Sequence, residues 1–316
     1  MNTTEIFTSE LPVGERLSIK RTRFEPKKVT GKEKRISIVS GIHGDELEGQ
    51  LVIYLLAEWL NNNSEKLTGI VDIYPAVNSL GVDTITRGFP LYDVDLNRTF
   101  PGGANEFLPG QVVHALAQDV KGSAIAIDIH SSNIFLREIP QIRINKEYSP
   151  STLPLAKELN CDFIWIHDAV TVLESTFSHT MNSMGTKTLV VEMGVGMRLT
   201  KEYGHQLLIG ILNLMKKEGI IECKEDFITR EAFNSEVGEV YYLNAPKSGL
   251  FVPALDHCAI IKKDEKIGDI VDPLTGIIHA TLVAPNDGIL FTLREYPVVY
   301  EGSLIARIFG GNNGKD

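Results

Sequence analysis

Cysteine is scarce in this chain. Its 316 residues include only Cys161, Cys223 and Cys258. An odd number without close spacing supports neither a disulfide framework nor a cysteine-based zinc site, and it fits a reducing cytosol. There is also no basic run able to track a phosphate backbone. Lys plus Arg number 31 against 41 Asp plus Glu, a formal net charge of −10, which argues against nucleic acid as a partner. Long apolar runs are missing too. The most apolar stretches, LVIYLLAEWL (51–60) and SAIAIDI (123–129), fall far short of the roughly 20 residues a bilayer span needs. The opening segment MNTTEIFTSELPVGERLSIKRTRFEP shows no apolar core of an export signal. A cytoplasmic protein without a membrane partner is therefore expected.

The remaining composition is that of an ordinary folded protein, 43% hydrophobic and 23% charged. Over the first two-thirds, short apolar and β-branched runs alternate with stretches of three- and four-residue apolar spacing. Arg35–Gly41, Gly69–Ala76, Ser123–Ile129, Cys161–Ile166 and Lys187–Met193 read as buried strands. The segments 46–63, 110–120, 153–160 and 201–219 read as core-facing helices. An α/β sheet covered on both faces follows. From about Glu231 the texture changes to dense Gly, Pro and Asp with short alternating runs, so a boundary is placed near 228–236. This divides the chain into residues 1–230 and a smaller all-β domain, 231–316. That second part carries an internal echo, in which Ala245-Pro-Lys-Ser-Gly-Leu250 recurs as Ala284-Pro-Asn-Asp-Gly-Ile289. Two β half-units are expected, resembling the barrel-sandwich fold of biotinyl and lipoyl carrier domains. The expected hairpin, Gly268–Ala284, contains no Lys, which disfavours a swinging-arm role and leaves a structural or site-shaping one.

The polar residues that interrupt this pattern sit at strand ends. In Gly41-Ile-His43-Gly-Asp-Glu46, a buried strand gives way to a helix. His and Glu three apart can converge on one ion, although H-x-x-E alone is as well explained by a surface loop beside a helix N-terminus. Asp128-Ile-His130 ends a second apolar strand and supplies a further imidazole. His43, Glu46 and His130 together make a two-His, one-carboxylate set that leaves zinc's fourth position open for hydrolysis. Asp128, two residues before His130, points the same way and is either an outer partner or a solvated strand-end carboxylate. Glu192 lies inside the apolar run Leu189–Met193, where its burial needs a reason. It is either a general base and acid beside a metal-activated water or a member of a structural ion pair. The segment from Arg87 to Gly102 holds Arg87 and Arg98 in a polar loop, which points to an anion clamp or an oxyanion stabiliser. Arg137 and Arg143 read best as surface salt-bridge partners.

As an ordered set, G-x-H-G-D-E at Gly41–Glu46, D-L-N-R-x-F-P-G at Asp95–Gly102, D-x-H at Asp128–His130 and V-E-M-G at Val191–Gly194 resemble the motifs of the succinylglutamate desuccinylase/aspartoacylase family. These are zinc hydrolases related to the zinc carboxypeptidases. The resemblance covers roughly residues 35–200. It implies a carboxypeptidase-like mixed sheet, one zinc per chain on His43, Glu46 and His130, and Glu192 as general base. It implies further that Asn97 and Arg98 bind the substrate carboxylate and that Arg87 polarises the carbonyl. The β domain resembles the one these enzymes use to narrow access to the zinc, which favours a small N-acyl amino acid or related N-acylated amine. A homo-oligomer is compatible with this reading. After His130, the segment SSNIFLREIPQIR departs from the continuation common in succinylglutamate desuccinylases. Acyl recognition is expected to diverge there.

Two rivals share these motifs: a metallocarboxypeptidase acting on short peptides, and a non-catalytic small-molecule binding protein. Of the other histidines, His114, His205, His257 and His279 read as exposed or locally bonded. His167 reads as structural, and His179 sits where it can line a pocket. None of Tyr241, Tyr242, Phe251 and Tyr296 can be assigned to the site.

Overall fold

The computed structural model describes residues 1–168 and 174–310. It opens with an N-terminal hairpin, β1 (Asn2–Glu10) and β2 (Arg16–Phe24), beyond the strands expected from the sequence. The expected buried strands follow as β3 (Arg35–Ser40), β4 (Ile70–Tyr74), β5 (Ile125–Ser131), β7 (Phe163–His167) and β8 (Lys187–Gly194). An additional strand, β6 (Leu136–Asn145), lies between β5 and β7 in sequence. The helices are α1 (Glu48–Asn62), α2 (Ser79–Thr84), α3 (Leu108–Val120), α4 (Ser149–Ala156), α5 (Phe177–Ser183) and α6 (Lys201–Lys217). Helix α4 starts earlier than its apolar spacing indicates, because Pro150 in its first turn is already set to a helical φ. Among the described residues, no helix is long and apolar enough to cross a membrane.

The strands build a 13-stranded mixed sheet whose path runs β1, β2, β4, β3, β5, β8, β6 and onward. Its centre, β4-β3-β5-β8, is parallel, while β6 returns antiparallel against β8. Successive strand residues point to opposite faces, and this alternation sorts the chemistry. On one face Ile125, Ile127, Ile129, Leu189, Val191, Ile142 and Ile144 pack with the apolar sides of α1 and α6. Each fully buried aliphatic side chain there contributes about 1.5–3 kcal/mol. The opposite face carries Asp128, His130, Val190, Glu192 and Arg143, with His130 directly beside Glu192 in the register and Arg143 beside Val190. A second core, including Val112, Val113 and Leu116 of α3 with Phe177 and Met181 of α5, lies on that side.

The C-terminal part comprises β9 (Phe233–Asn234), β10 (Glu239–Asn244), β11 (Gly249–Pro253), β12 (Ile260–Ile261), β13 (Lys266–Val271), β14 (Ile278–Val283), β15 (Gly288–Arg294), β16 (Val298–Val299) and β17 (Leu304–Gly310). Strands β14, β13, β11 and β16 form a small sheet of their own, while β15, β17 and β10 extend the large sheet beyond β6. The two sheets enclose a separate core that includes Phe251, Ile267, Ile270, Leu290 and Ile305. The echoed segments play matching parts. Ala245 and Ala284 are both buried, and each trades backbone hydrogen bonds with a turn elsewhere in the domain, at Gly302–Ser303 and at Asp264–Glu265. The first copy then enters β11 of the small sheet and the second β15 of the large one. The join is sealed by Ile139 and Phe163 packing against Phe291 and Phe309.

Candidate active site

The turn that follows β3 is set by close backbone packing. Gly41 takes a φ of +67°, and a Cβ on Gly44 would lie 2.0 Å from the carbonyl carbon of Gly81. Only glycine permits that approach, and it brings His43 and Glu46 inward beneath the loop carrying Arg87. Both side chains are buried, as is His130 at the end of β5. Glu46 spans the two imidazoles: Oε1 lies 2.8 Å from His43 Nδ1, and Oε2 lies 2.8 Å from His130 Nδ1. The two Nδ1 atoms are 3.2 Å apart. Behind each ring stands a carboxylate, Asp95 Oδ1 at 3.0 Å from His43 Nε2 and Asp128 Oδ2 at 3.0 Å from His130 Nε2.

This arrangement has a definite electrostatic consequence. With the Nε2–H groups directed at Asp95 and Asp128, both Nδ1 atoms face the oxygens of Glu46, across positions that either protons or a metal ion can fill. Burial alone would lower the pKa values of His43 and His130, but Glu46 and Asp95 raise the first, and Asp128 and Glu46 raise the second well above the ordinary histidine value. Glu46, despite its burial, is held below the usual carboxylate range by both imidazoles. Asp95 is likewise pulled down against its burial to about 2, chiefly by its hydrogen bond and charge interaction with His43. His43, Glu46 and His130 can hold one metal ion, each offering a ligand atom within 4.8 Å of the others. Imidazole with carboxylate is a donor set that zinc accepts, so the residues fit the expected metal.

The other expected residues gather around this cluster. Arg87 Nη1 donates to Glu46 Oε1 at 2.6 Å, and its Nη2 stands 3.6 Å from Asp95 Oδ2. Asn97 is anchored by accepting from the Phe177 backbone N–H at 2.8 Å, which leaves its amide nitrogen 3.3 Å from His130 Nε2. Arg98 donates to the Asn97 carbonyl, and no carboxylate pairs with it among the described residues. Glu192 is largely buried. Its pKa is raised by desolvation, against the opposing pull of the Arg143 guanidinium, whose Nη1 sits 3.2 Å from Glu192 Oε1. All seven expected site residues line one cavity of about 820 Å³.

Several residues in or behind this cavity were not assigned from the sequence. Asp95 lies within a quoted motif, yet its contact with His43 spans a separate loop and cannot be read from local spacing. Arg143 is a salt-bridge partner as expected, but inside the cavity rather than at the surface. With it stand Glu138, Trp165 and Arg307, the last supplied by β17 of the C-terminal part. His167 and His179 also line the cavity, whereas Arg137 pairs with Glu295 at 3.8 Å outside it. Of the C-terminal aromatics, Tyr296 packs edge-on against the cavity residue Phe135, and Tyr242 lies under the Arg307 guanidinium. Tyr241 is bonded locally to Glu239 and Asn286, and Phe251 belongs to the core.

Comparison with known proteins bears on the family and the fold. Residues 32–217 match the family model described as the succinylglutamate desuccinylase/aspartoacylase catalytic domain. The chain is 23% identical over 287 residues to the N-alpha-acetyl-L-2,4-diaminobutyric acid deacetylase of Halomonas elongata, an alignment spanning 86% of this chain and 80% of that one. Its fold is similar to a succinylglutamate desuccinylase/aspartoacylase from Rhodobacter sphaeroides, with a TM-score of 0.79, 24% identity, and coverage of 95% of this chain and 91% of the other. It is also similar to the product-bound ectoine utilization protein EutE (DoeB) of Ruegeria pomeroyi, with a TM-score of 0.81, 19% identity, and coverage of 96% and 92%.

Proposed function

The chain belongs to the succinylglutamate desuccinylase/aspartoacylase family, and from that premise we propose that it is a zinc-dependent hydrolase cleaving the amide bond of a small N-acyl amino acid or related N-acylated amine. The observation that carries this reading is the Glu46 carboxylate set between two imidazole Nδ1 atoms, each ring backed by its own carboxylate. A zinc ion held by His43, Glu46 and His130 supplies Lewis acidity, making water easier to deprotonate and a carbonyl easier to attack.

The chain's own residues perform the rest. Glu192, on the strand beside His130, takes a proton from the attacking water and returns it to the departing amine nitrogen. Its desolvation favours such exchange, because a raised carboxyl pKa narrows the gap to neutral pH. Arg87 donates to the oxygen that becomes negative when the acyl carbon turns tetrahedral. Arg98 receives the substrate carboxylate, since it lacks a carboxylate partner of its own among the described residues, and Asn97 offers amide hydrogens beside it. Asp95 and Asp128 hold the two imidazoles with their Nδ1 atoms presented. From the C-terminal part, Arg307 of β17 reaches the cavity wall.

The test is metal analysis on the purified protein followed by amine release from N-acetyl, N-succinyl and N-formyl amino acids, before and after chelation. Stoichiometric zinc with chelator-sensitive release is the expected result. Because the Halomonas relative is named for an N-acetyl amino acid, acetyl substrates head the panel. Release from blocked dipeptides alone would favour a carboxypeptidase. Tight metal without turnover of anything on the panel would favour a binding protein.

A further inference from the structure

We propose that Arg307, on a strand of the C-terminal part, is a positioning residue for the proton transfer, acting on Glu192 through Glu138 and Arg143. The inference rests on the assignment of Glu192 made above. Its starting point is an electrostatic competition. Arg143 faces two carboxylates at once, with Nη2 donating to both oxygens of Glu138 at 3.1 and 3.0 Å and Nη1 3.2 Å from Glu192 Oε1. Glu138 is 1% exposed, so its charge has to be met within the protein. Arg307 Nη1 meets part of it with a 2.5 Å bond to Glu138 Oε1, and Thr292 Oγ1 adds a weaker one at 3.3 Å. Among the described residues, Glu192 has no ion-pair partner other than Arg143.

With Arg307 in place, Arg143 is free to direct one nitrogen to Glu192. Without it, Glu138 claims the whole Arg143 guanidinium and Glu192 loses its ion-pair partner. Trp165 fixes the geometry, since both guanidinium carbons lie over its ring, at 5.5 Å for Arg143 and 5.6 Å for Arg307. Arg307 itself does not touch Glu192. Its influence crosses from β17 through β15, whose Thr292 is the register partner of Glu138. The C-terminal strands would therefore hold the general base in place as well as limit access.

The experiment is steady-state kinetics on the metal-loaded full-length protein for Arg307→Gln, Arg307→Lys, Glu138→Gln and the Glu138→Gln/Arg307→Gln double variant, with metal content and thermal midpoint measured alongside. Arg307→Gln is expected to lower kcat about tenfold or more with KM within about twofold and metal unchanged, as a misplaced catalytic group does. Arg307→Lys keeps the charge and is expected within about threefold of the parent, so it reports even where the Gln variant folds poorly. The double variant should turn over faster than Arg307→Gln alone, because a neutral residue 138 no longer competes for Arg143. A raised KM at constant kcat would make Arg307 a substrate contact and overturn the proposal. So would double-variant losses that simply multiply. Crystal structures give a readout free of activity: the Arg143–Glu192 contact should persist in the parent and be lost in Arg307→Gln, and its persistence in both would overturn the coupling. Failure of the underlying assignment shows differently, as undiminished hydrolysis by Glu192→Gln.

Discussion

At the scale of single residues, the proposed function separates groups that would hold a metal ion from those that would aim them. His43→Ala or His130→Ala should abolish tight metal binding, and equilibrium dialysis that finds metal retained by both variants would remove them from the ligand set. Asp128→Asn keeps the shape but weakens the hold on the His130 tautomer, so metal affinity should fall about 10–100-fold by competition titration. Arg98→Ala should leave metal content intact and raise KM, since Arg98 contacts no ligand residue. Away from the site, His257 makes a separate prediction. Its ring, 2.8 Å from the Tyr203 hydroxyl, is driven down to about 4 by burial and by the Arg137 charge. Below an ordinary histidine value of about 6.5 the unfolded chain binds a proton that the folded chain refuses until near pH 4. This residue therefore costs stability as pH falls through that window, and His257→Gln should flatten the decline in thermal midpoint between pH 7 and pH 4.5. An unchanged slope would show that its titration is not coupled to folding.

At the scale of elements, the strand-to-helix turn after β3 depends on two glycines in contact. Gly44→Ala places a Cβ against the Gly81 backbone, and backbone cannot step aside as a side-chain tip can. A loss of about 1–3 kcal/mol is expected from urea unfolding, with metal affinity falling as His43 and Glu46 shift. The central strands were legible because a strand covered on both faces must be apolar throughout, and the long helices because their apolar spacing matches one buried side. β6 was not legible for an equally physical reason. Its sequence LREIPQIRIN mixes apolar residues with charged Glu138 and Arg143, as an exposed segment would, because those two look into the cavity rather than the core, and an irregularity between Glu138 and Gln141 breaks the two-residue period. The β1–β2 hairpin escaped notice because β1 is mostly exposed and offers little apolar signal.

At the scale of the molecule, the large sheet runs unbroken from β1 at the N-terminus to β17 and β10 of the C-terminal part. Cutting the chain after residue 230 would strip β15 from the edge of β6 and uncover Ile139 and Phe163. We expect residues 1–230 alone to aggregate or to lack amine release; a monomeric, fully active fragment would refute the shared-sheet dependence of the site. Which polar residue types stand at the strand ends, and in what order, is written in the local sequence, because a carboxylate or imidazole in an apolar strand is rarely tolerated without a purpose. His130 and Glu192 stand out on that ground, and His43 and Glu46 by their three-residue spacing in the turn after β3. Their partners come from the packing of distant strands. The pairing of Asp95 with His43, and of Arg307 and Glu138 with Arg143, depends on which strands become neighbours, and that order is set by long-range packing that leaves no mark in local spacing.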